Sequence, residues 1–193
     1  MKKIWMLALM LLCADVSAAG KSATAVFAGG CFWCMESDFE KLPGVSSVVS
    51  GYSGGHTVNP TYEDSSSGTT GHAESVKVTY DPDLVSYDKL LDYYWHHIDP
   101  LTANAQFCDH GSQYRSVIFY GNESEKQAAL DSKARLEKQL GKKFVTEIVP
   151  AAPFYLAEDY HQDYYKKNPL RYHYYRTACG RDARVKEVWG SAN

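Results

Sequence analysis

Two apolar periods, one of strand type and one of helix type, alternate along this chain and predict its elements. Ala23 to Ala28 is a short apolar run and reads as a strand; Glu74 to Tyr80, in which polar and apolar residues alternate, reads as another. Between them lie a helix-like stretch from Cys31 to Leu42, stopped by Pro43-Gly44, and a strand from Ser46 to Tyr52, ended by Gly54-Gly55. The run Ser65 to Thr70 reads as a loop. Asp81-Pro82 closes the alternating strand, because proline has no N–H to donate and restricts the residue before it. Leu90, Leu91, Tyr94 and Trp95 recur at helical spacing within Ser86 to Ile98, and Tyr114 to Tyr120 is a further strand bounded by Gly121-Asn122. The order strand-helix-strand-strand-helix-strand is that of a split βαβ unit. A charged surface helix (Glu123 to Leu140), a strand (Phe144 to Val149) and a short helix (Glu158 to Lys167) follow. From Arg171 to Asn193 there is little pattern before one more helix at Asp182 to Trp189. The expected fold is therefore α+β: a two-layer α/β sandwich with a ferredoxin-like core, a mixed sheet and a long C-terminal coil.

Composition narrows the class and the first residues suggest a compartment. With 193 residues, 45% of them hydrophobic, a single domain with a sizeable core is expected. A formal net charge of −3 and the lack of a long basic run argue against a nucleic acid partner. The basic Lys2-Lys3, the apolar Ile4 to Ala14 and the small-residue Val16-Ser17-Ala18-Ala19 have the layout of a cleaved secretory signal over residues 1–19, with an apolar stretch too short to span a bilayer. Residues 20–193 would then form one secreted or periplasmic domain, a monomer, with Cys13 lost on cleavage. Four cysteines remain, Cys31, Cys34, Cys108 and Cys179, too few for a disulfide scaffold and suited to redox chemistry in an oxidising space. The 15 tyrosines, many of them between Tyr155 and Tyr175, read mostly as amphipathic packing residues.

Chemistry concentrates at Gly30-Cys31-Phe32-Trp33-Cys34. A cysteine where a strand meets a helix faces unpaired N–H groups and the positive end of the helix dipole, so the Cys31 thiol is expected to have a lowered pKa and to act as a nucleophile. Phe32 and Trp33 add an apolar wall, and Cys34 lies one helical turn on. The motif alone also fits inert packing or half of a zinc site, although no second ligand pair completes four. Glu74 enters a strand just after the loop Gly71-His72-Ala73, and Asp109 lies in the loop before the strand at Tyr114; each reads as either catalytic or merely local. The acids around Glu158 and His161 suit a helix N-terminus better than a metal site.

The Gly-Cys-Phe-Trp start, the segment Gly71-His72-Ala73-Glu74, the segment Asp109 to Ser116 and the segment Glu158 to Gln162, in this order, resemble the A-type peptide methionine sulfoxide reductases. The resemblance implies reduction of the S epimer of methionine sulfoxide, free or in proteins, with no metal and no organic cofactor, and recycling by a thioredoxin-like reductant. It implies Cys31 as nucleophile, Phe32 and Trp33 around the substrate methyl, Glu74 as the acid, Tyr62 and Tyr114 on the sulfoxide oxygen, and Asp109 as a positioning group. Position 34 departs from the pattern, being Cys where Gly is commoner, and so does the tail Thr177 to Asp182. Two thiols thus compete to resolve a Cys31 sulfenic acid: Cys34, favoured by its proximity, and Cys179, by its C-terminal position, with a relay through both left open. Cys108 reads first as a packing residue, with a role as a third thiol as the alternative. A general thiol-disulfide oxidoreductase is the rival, but it leaves Glu74, Tyr62 and Tyr114 without a role; a non-catalytic thioether-binding module is the third reading.

Overall fold

The computed structural model describes residues 20–190, so the proposed signal at 1–19 lies outside the described residues. In chain order the elements are β1 (Ala23–Ala28), α1 (Phe32–Phe39), β2 (Val45–Ser53), α2 (Tyr62–Ser66), β3 (Ala73–Tyr80), α3 (Tyr87–Trp95), β4 (Ala105–Gln106) and β5 (Asp109–His110). A 3₁₀ turn (Ser112–Tyr114) leads to β6 (Val117–Tyr120), α4 (Glu123–Leu140), β7 (Glu147–Pro150), β8 (Phe154–Leu156), α5 (Tyr164–Lys167), α6 (Pro169–Ala178) and α7 (Arg181–Trp189).

Six strands form one sheet in the order β7-β6-β1-β3-β2-β8. All neighbours run antiparallel except β6 and β7, so the sheet is mixed, as expected. Side chains alternate across a strand. Phe27 on β1 and Val76, Val78 and Tyr80 on β3 accordingly share one buried cluster with Phe32, Met35 and Phe39 of α1, Leu90, Leu91 and Tyr94 of α3, and Ala129 and Leu136 of α4. Phe27 stacks between Phe39 and Tyr94, with ring centres 5.2 and 5.1 Å away. Ala28, Ala73, Val117 and Phe119 form a smaller cluster of their own. Glu74 has the same parity as Val76 and Val78, so its carboxyl points into the layer between sheet and helices, and it sits at the end of β3 that meets the start of α1.

Several expectations need correction. The segment from Glu158 to Lys167 is helical only at Tyr164–Lys167, because Glu158 and Gln162 bond to other segments instead of capping a helix of their own. The strand expected from Tyr114 begins at Val117, since the N–H of Tyr114 turns back to the Gly111 carbonyl. The stretch read as loop starts as α2, which is closed by a capping box between Thr61 and Asp64. The long C-terminal coil is contradicted outright: α6 and α7 fill it almost completely. Asn168-Pro169 opens α6 with proline in the first turn, and Gly180 at φ 69° separates the two helices. Their apolar positions are few, and they are held by ion pairs, which leave no hydrophobic period to read.

Candidate active site

Cys31 caps the N-terminus of α1, and its carbonyl accepts the N–H groups of Cys34 and Met35 at 3.1 and 3.3 Å. Gly30 before it has φ 84°, and a Cβ there would stand 2.6 Å from that of Gln106; only glycine lets the strand turn this tightly into the helix. Cys31 is 6% exposed, at the floor of a cavity of about 110 Å3 lined by Phe32, Trp33, Tyr62, Glu74, Asp109, Tyr114 and Tyr175. Every lining residue except Tyr175 was expected from the sequence. Tyr175 comes from α6, in the stretch read as coil, and nothing in the local pattern marked it. Its hydroxyl donates to Asp109 and its ring meets Trp33 edge-on.

Glu74 is 3% exposed and accepts the Phe32 N–H at 3.0 Å. Burial pushes its pKa up to about 8, against the smaller lowering effect of that hydrogen bond. It is therefore protonated at neutral pH and can donate. The Phe32 amide that it occupies is one of the orphan donors of the helix N-terminus, and the Cys31 sulfur does not receive it.

This bears on the thiols, where the expected direction for Cys31 is overturned. Burial raises its pKa well above the ordinary value, and its hydrogen bond to Cys34 and the acids Glu74 and Asp109 act in the same sense. Cys34 moves the other way, to about 7, first because Cys31 hydrogen-bonds to it and then because Arg181 and Arg176 are near. The two sulfurs are one coupled pair that loses its first proton near neutrality and shares the second. Cys34 lies beneath the cavity against Tyr164 and Tyr172.

Cys179, the competing thiol, forms a disulfide with Cys108, and Cys31 and Cys34 are free. The reading of Cys108 as a packing residue is thus wrong. It is exposed, and the turn through Phe107 (φ 57°) carries it to the end of α6, a long-range contact that no local pattern announces. The disulfide flanks the cavity, with Asp109 carboxylate oxygens 3.7 and 4.0 Å from the two sulfurs.

The aromatic wall is fixed from behind. The Trp33 indole donates to His161 Nδ1 at 2.9 Å and stacks on Tyr164 at 3.7 Å. His161 also packs against Phe32 and Tyr62, and burial lowers its pKa, which keeps it neutral. Glu158 accepts the Tyr62 N–H at 2.8 Å and the Tyr52 hydroxyl at 2.9 Å, so α2 is tied to the sheet and Tyr62 is held over the cavity. Tyr62 and Tyr114 are both pushed upward by burial and by Glu74, so both keep their protons and can donate. Among the described residues two groups bring three potential metal ligands together. In one, the sulfurs of Cys108 and Cys179 are bonded to each other; in the other, Glu36 already accepts from Ser50 and the Asp163 amide, and Glu40 is paired with Lys166.

A family model described as peptide methionine sulfoxide reductase matches residues 23–193. The chain belongs to the A-type members of that family. It is 52% identical to the peptide methionine sulfoxide reductase MsrA of Bacillus subtilis over 173 residues, 89% of this chain and 98% of that one. It is 51% identical to MsrA 2 of Caulobacter vibrioides, covering 95% of this chain and 94% of the relative. Among solved structures, reduced Mxr1 of Saccharomyces cerevisiae superposes with a TM-score of 0.74 at 32% identity, over 77% of this chain and 87% of that one. Three of the four motifs line the cavity and the fourth, through Glu158 and His161, braces Tyr62 and Trp33, while Tyr175 and Cys179 come from the helical tail.

Proposed function

We propose that this chain reduces methionine S-sulfoxide, free or in proteins, to methionine, with Cys31 as nucleophile and Glu74 as acid. The observation that carries the reading is the buried Glu74, its pKa raised by that burial, in the same cavity as Cys31. A sulfoxide sulfur is a weak electrophile with a basic oxygen, so thiol attack needs a proton delivered to that oxygen. Glu74 supplies it, with Tyr62 and Tyr114 donating to the same oxygen and Phe32 and Trp33 packing on the methyl group. Asp109, held by Tyr175, lines the same cavity as a positioning group. As the Cys31 sulfur bonds to the substrate sulfur, its proton passes to Cys34, the sulfur–oxygen bond moves to Cys31, and methionine leaves. Cys31 is then a sulfenic acid. Cys34 attacks it, a Cys31–Cys34 disulfide forms, and the oxygen departs as water. The bridge that engages Cys179 supports Cys34 as the resolving thiol, with Cys179 left for later exchange. A thioredoxin-like dithiol reopens the new disulfide.

The same reading takes β1, β2, β3, β6, α1 and α3 as a ferredoxin-like core in a two-layer α/β sandwich, which the strand order β6-β1-β3-β2 supports. It makes residues 20–193 one catalytic domain, acting as a monomer without metal or organic cofactor and without nucleic acid. The layout of residues 1–19 supports secretion or a periplasmic location. Mixing the protein with one equivalent of methionine S-sulfoxide and no reductant tests the chemistry. One methionine per chain and a Cys31–Cys34 disulfide in the peptide map are expected; methionine without loss of these two thiols would overturn the assignment.

A further inference from the structure

We propose that the Cys108–Cys179 bridge is a positioning element of the substrate cavity: it fixes Asp109 against Tyr175 and so sets how tightly the sulfoxide is held. Both of these residues line the cavity together with Cys31. Cys108 is the residue before Asp109, and Cys179 lies one helical turn beyond Tyr175, its N–H donating to the Tyr175 carbonyl at 2.9 Å. The bridge therefore ties together the two short segments that carry this part of the wall.

Asp109 needs such a support. It sits on β5, a two-residue strand that pairs with β4 in a sheet separate from the six-stranded one, and a lone pair of short strands is marginal by itself. β4 is anchored by Gln106, whose buried amide exchanges hydrogen bonds with the Asp99 backbone at 3.0 and 2.6 Å. The turn into β5 is strained. Asn104 and Phe107 have φ of 50° and 57°, a left-handed conformation that a side chain as bulky as Phe107 adopts only where its surroundings impose it. Here the tail imposes it: the Arg181 guanidinium lies 4.6 Å from the Phe107 ring centre, and the N–H of Cys108, next in the chain, points to the Cys179 sulfur at 3.2 Å.

Tyr175 is the other half of this wall. Its hydroxyl, kept protonated by burial, donates to Asp109, and its ring meets Trp33 edge-on. Asp109 is thus held by the bridge at its backbone and by this phenol at its carboxylate, and through Tyr175 it is linked to the indole that faces the substrate methyl. Without the bridge, Phe107 is released from its strained conformation and Asp109 moves with it. Cys31 and Glu74, which make and break bonds, are placed by the start of α1 and by β3 instead, so opening the bridge acts on affinity and not on the chemical step.

The inference rests on the reading that the sulfoxide is reduced in this cavity, and its test separates the two. The burst of methionine is followed without reductant at increasing concentrations of methionine S-sulfoxide. Wild type should give a saturating burst and Cys31→Ser none; a wild type without a burst overturns the reading itself. Tyr175→Phe, which keeps the ring on Trp33, and the double variant Cys108→Ser/Cys179→Ser should each raise the half-saturating concentration about tenfold, the worth of one hydrogen bond to a charged group, while the maximum burst rate falls less than about threefold. The triple variant should bind no more weakly than either, because both changes remove the same support. Wild type whose bridge has been opened by a dithiol, with the dithiol then removed, measures the bridge directly should the serine pair not fold. A bridge that serves stability alone leaves half-saturation where it was. An unmoved half-saturating concentration in Tyr175→Phe or in folded protein without the bridge, or losses that multiply to about a hundredfold in the triple variant, would overturn the role given to the bridge.

Discussion

At the scale of single residues, Glu74 decides between catalysis and packing. A carboxyl held at a pKa of about 8 by burial is poised to donate at neutral pH and loses that ability as the pH passes 8. Glu74→Gln keeps the shape and the acceptor for the Phe32 N–H but has no proton to deliver. Single-turnover release should slow by roughly 10²–10⁴-fold, the usual contribution of a general acid. Stability should move the other way. A group whose folded pKa is raised leaves the protein fully stable below the unfolded value, near 4.5, and destabilises it progressively as pH rises to the folded value of about 8. The glutamine variant should thus be more stable than wild type at pH 7 by about 1–3 kcal/mol and nearly equal at pH 4, as measured by denaturant unfolding. A variant both slower and less stable at pH 7 would identify Glu74 as a packing residue. Cys31, Phe32, Trp33, Tyr62, Glu74, Asp109 and Tyr114 were all legible in the sequence, because short motifs carry them. The charge state of the thiols was not: it depends on which group takes the Phe32 amide and on arginines that arrive from the far end of the chain.

At the scale of elements, strands and long helices followed their periods, and the departures have local causes. Tyr114 sits in a 3₁₀ turn because Gly111, at φ 133°, redirects the chain. The region from Glu158 to Gln162 gives its polar side chains to Tyr62, Tyr52 and Ser50 instead of to a helix. The tail was least legible, since α6 and α7 are held by Arg176, Arg181 and Arg184 pairing with Asp38, Asp182 and Asp99. The Cys108–Cys179 bridge closes a loop of 71 residues around this tail, and its removal should cost about 2–5 kcal/mol. The double variant Cys108→Ser/Cys179→Ser should melt at a lower temperature and, once folded, still form the Cys31–Cys34 disulfide with one equivalent of sulfoxide. If that disulfide no longer forms, Cys179 belongs to the resolving step.

At the scale of the whole molecule, sheet, helices and tail converge on one small asymmetric cavity. In the proposed mode Glu74 from β3, Tyr62 from α2 and Tyr114 from the 3₁₀ turn surround the oxygen, and Phe32 and Trp33, both from α1, face the methyl group. Inverting the sulfur would bury the oxygen against rings and leave two or three donors unpaired, at about 1–3 kcal/mol each. Together that is about 2–9 kcal/mol, a discrimination from about thirtyfold upward. The most direct measurement is the extent of reaction with racemic methionine sulfoxide under excess dithiol reductant. The reaction should stop at half conversion with only the R epimer left; complete conversion by the purified protein would contradict this arrangement of the site.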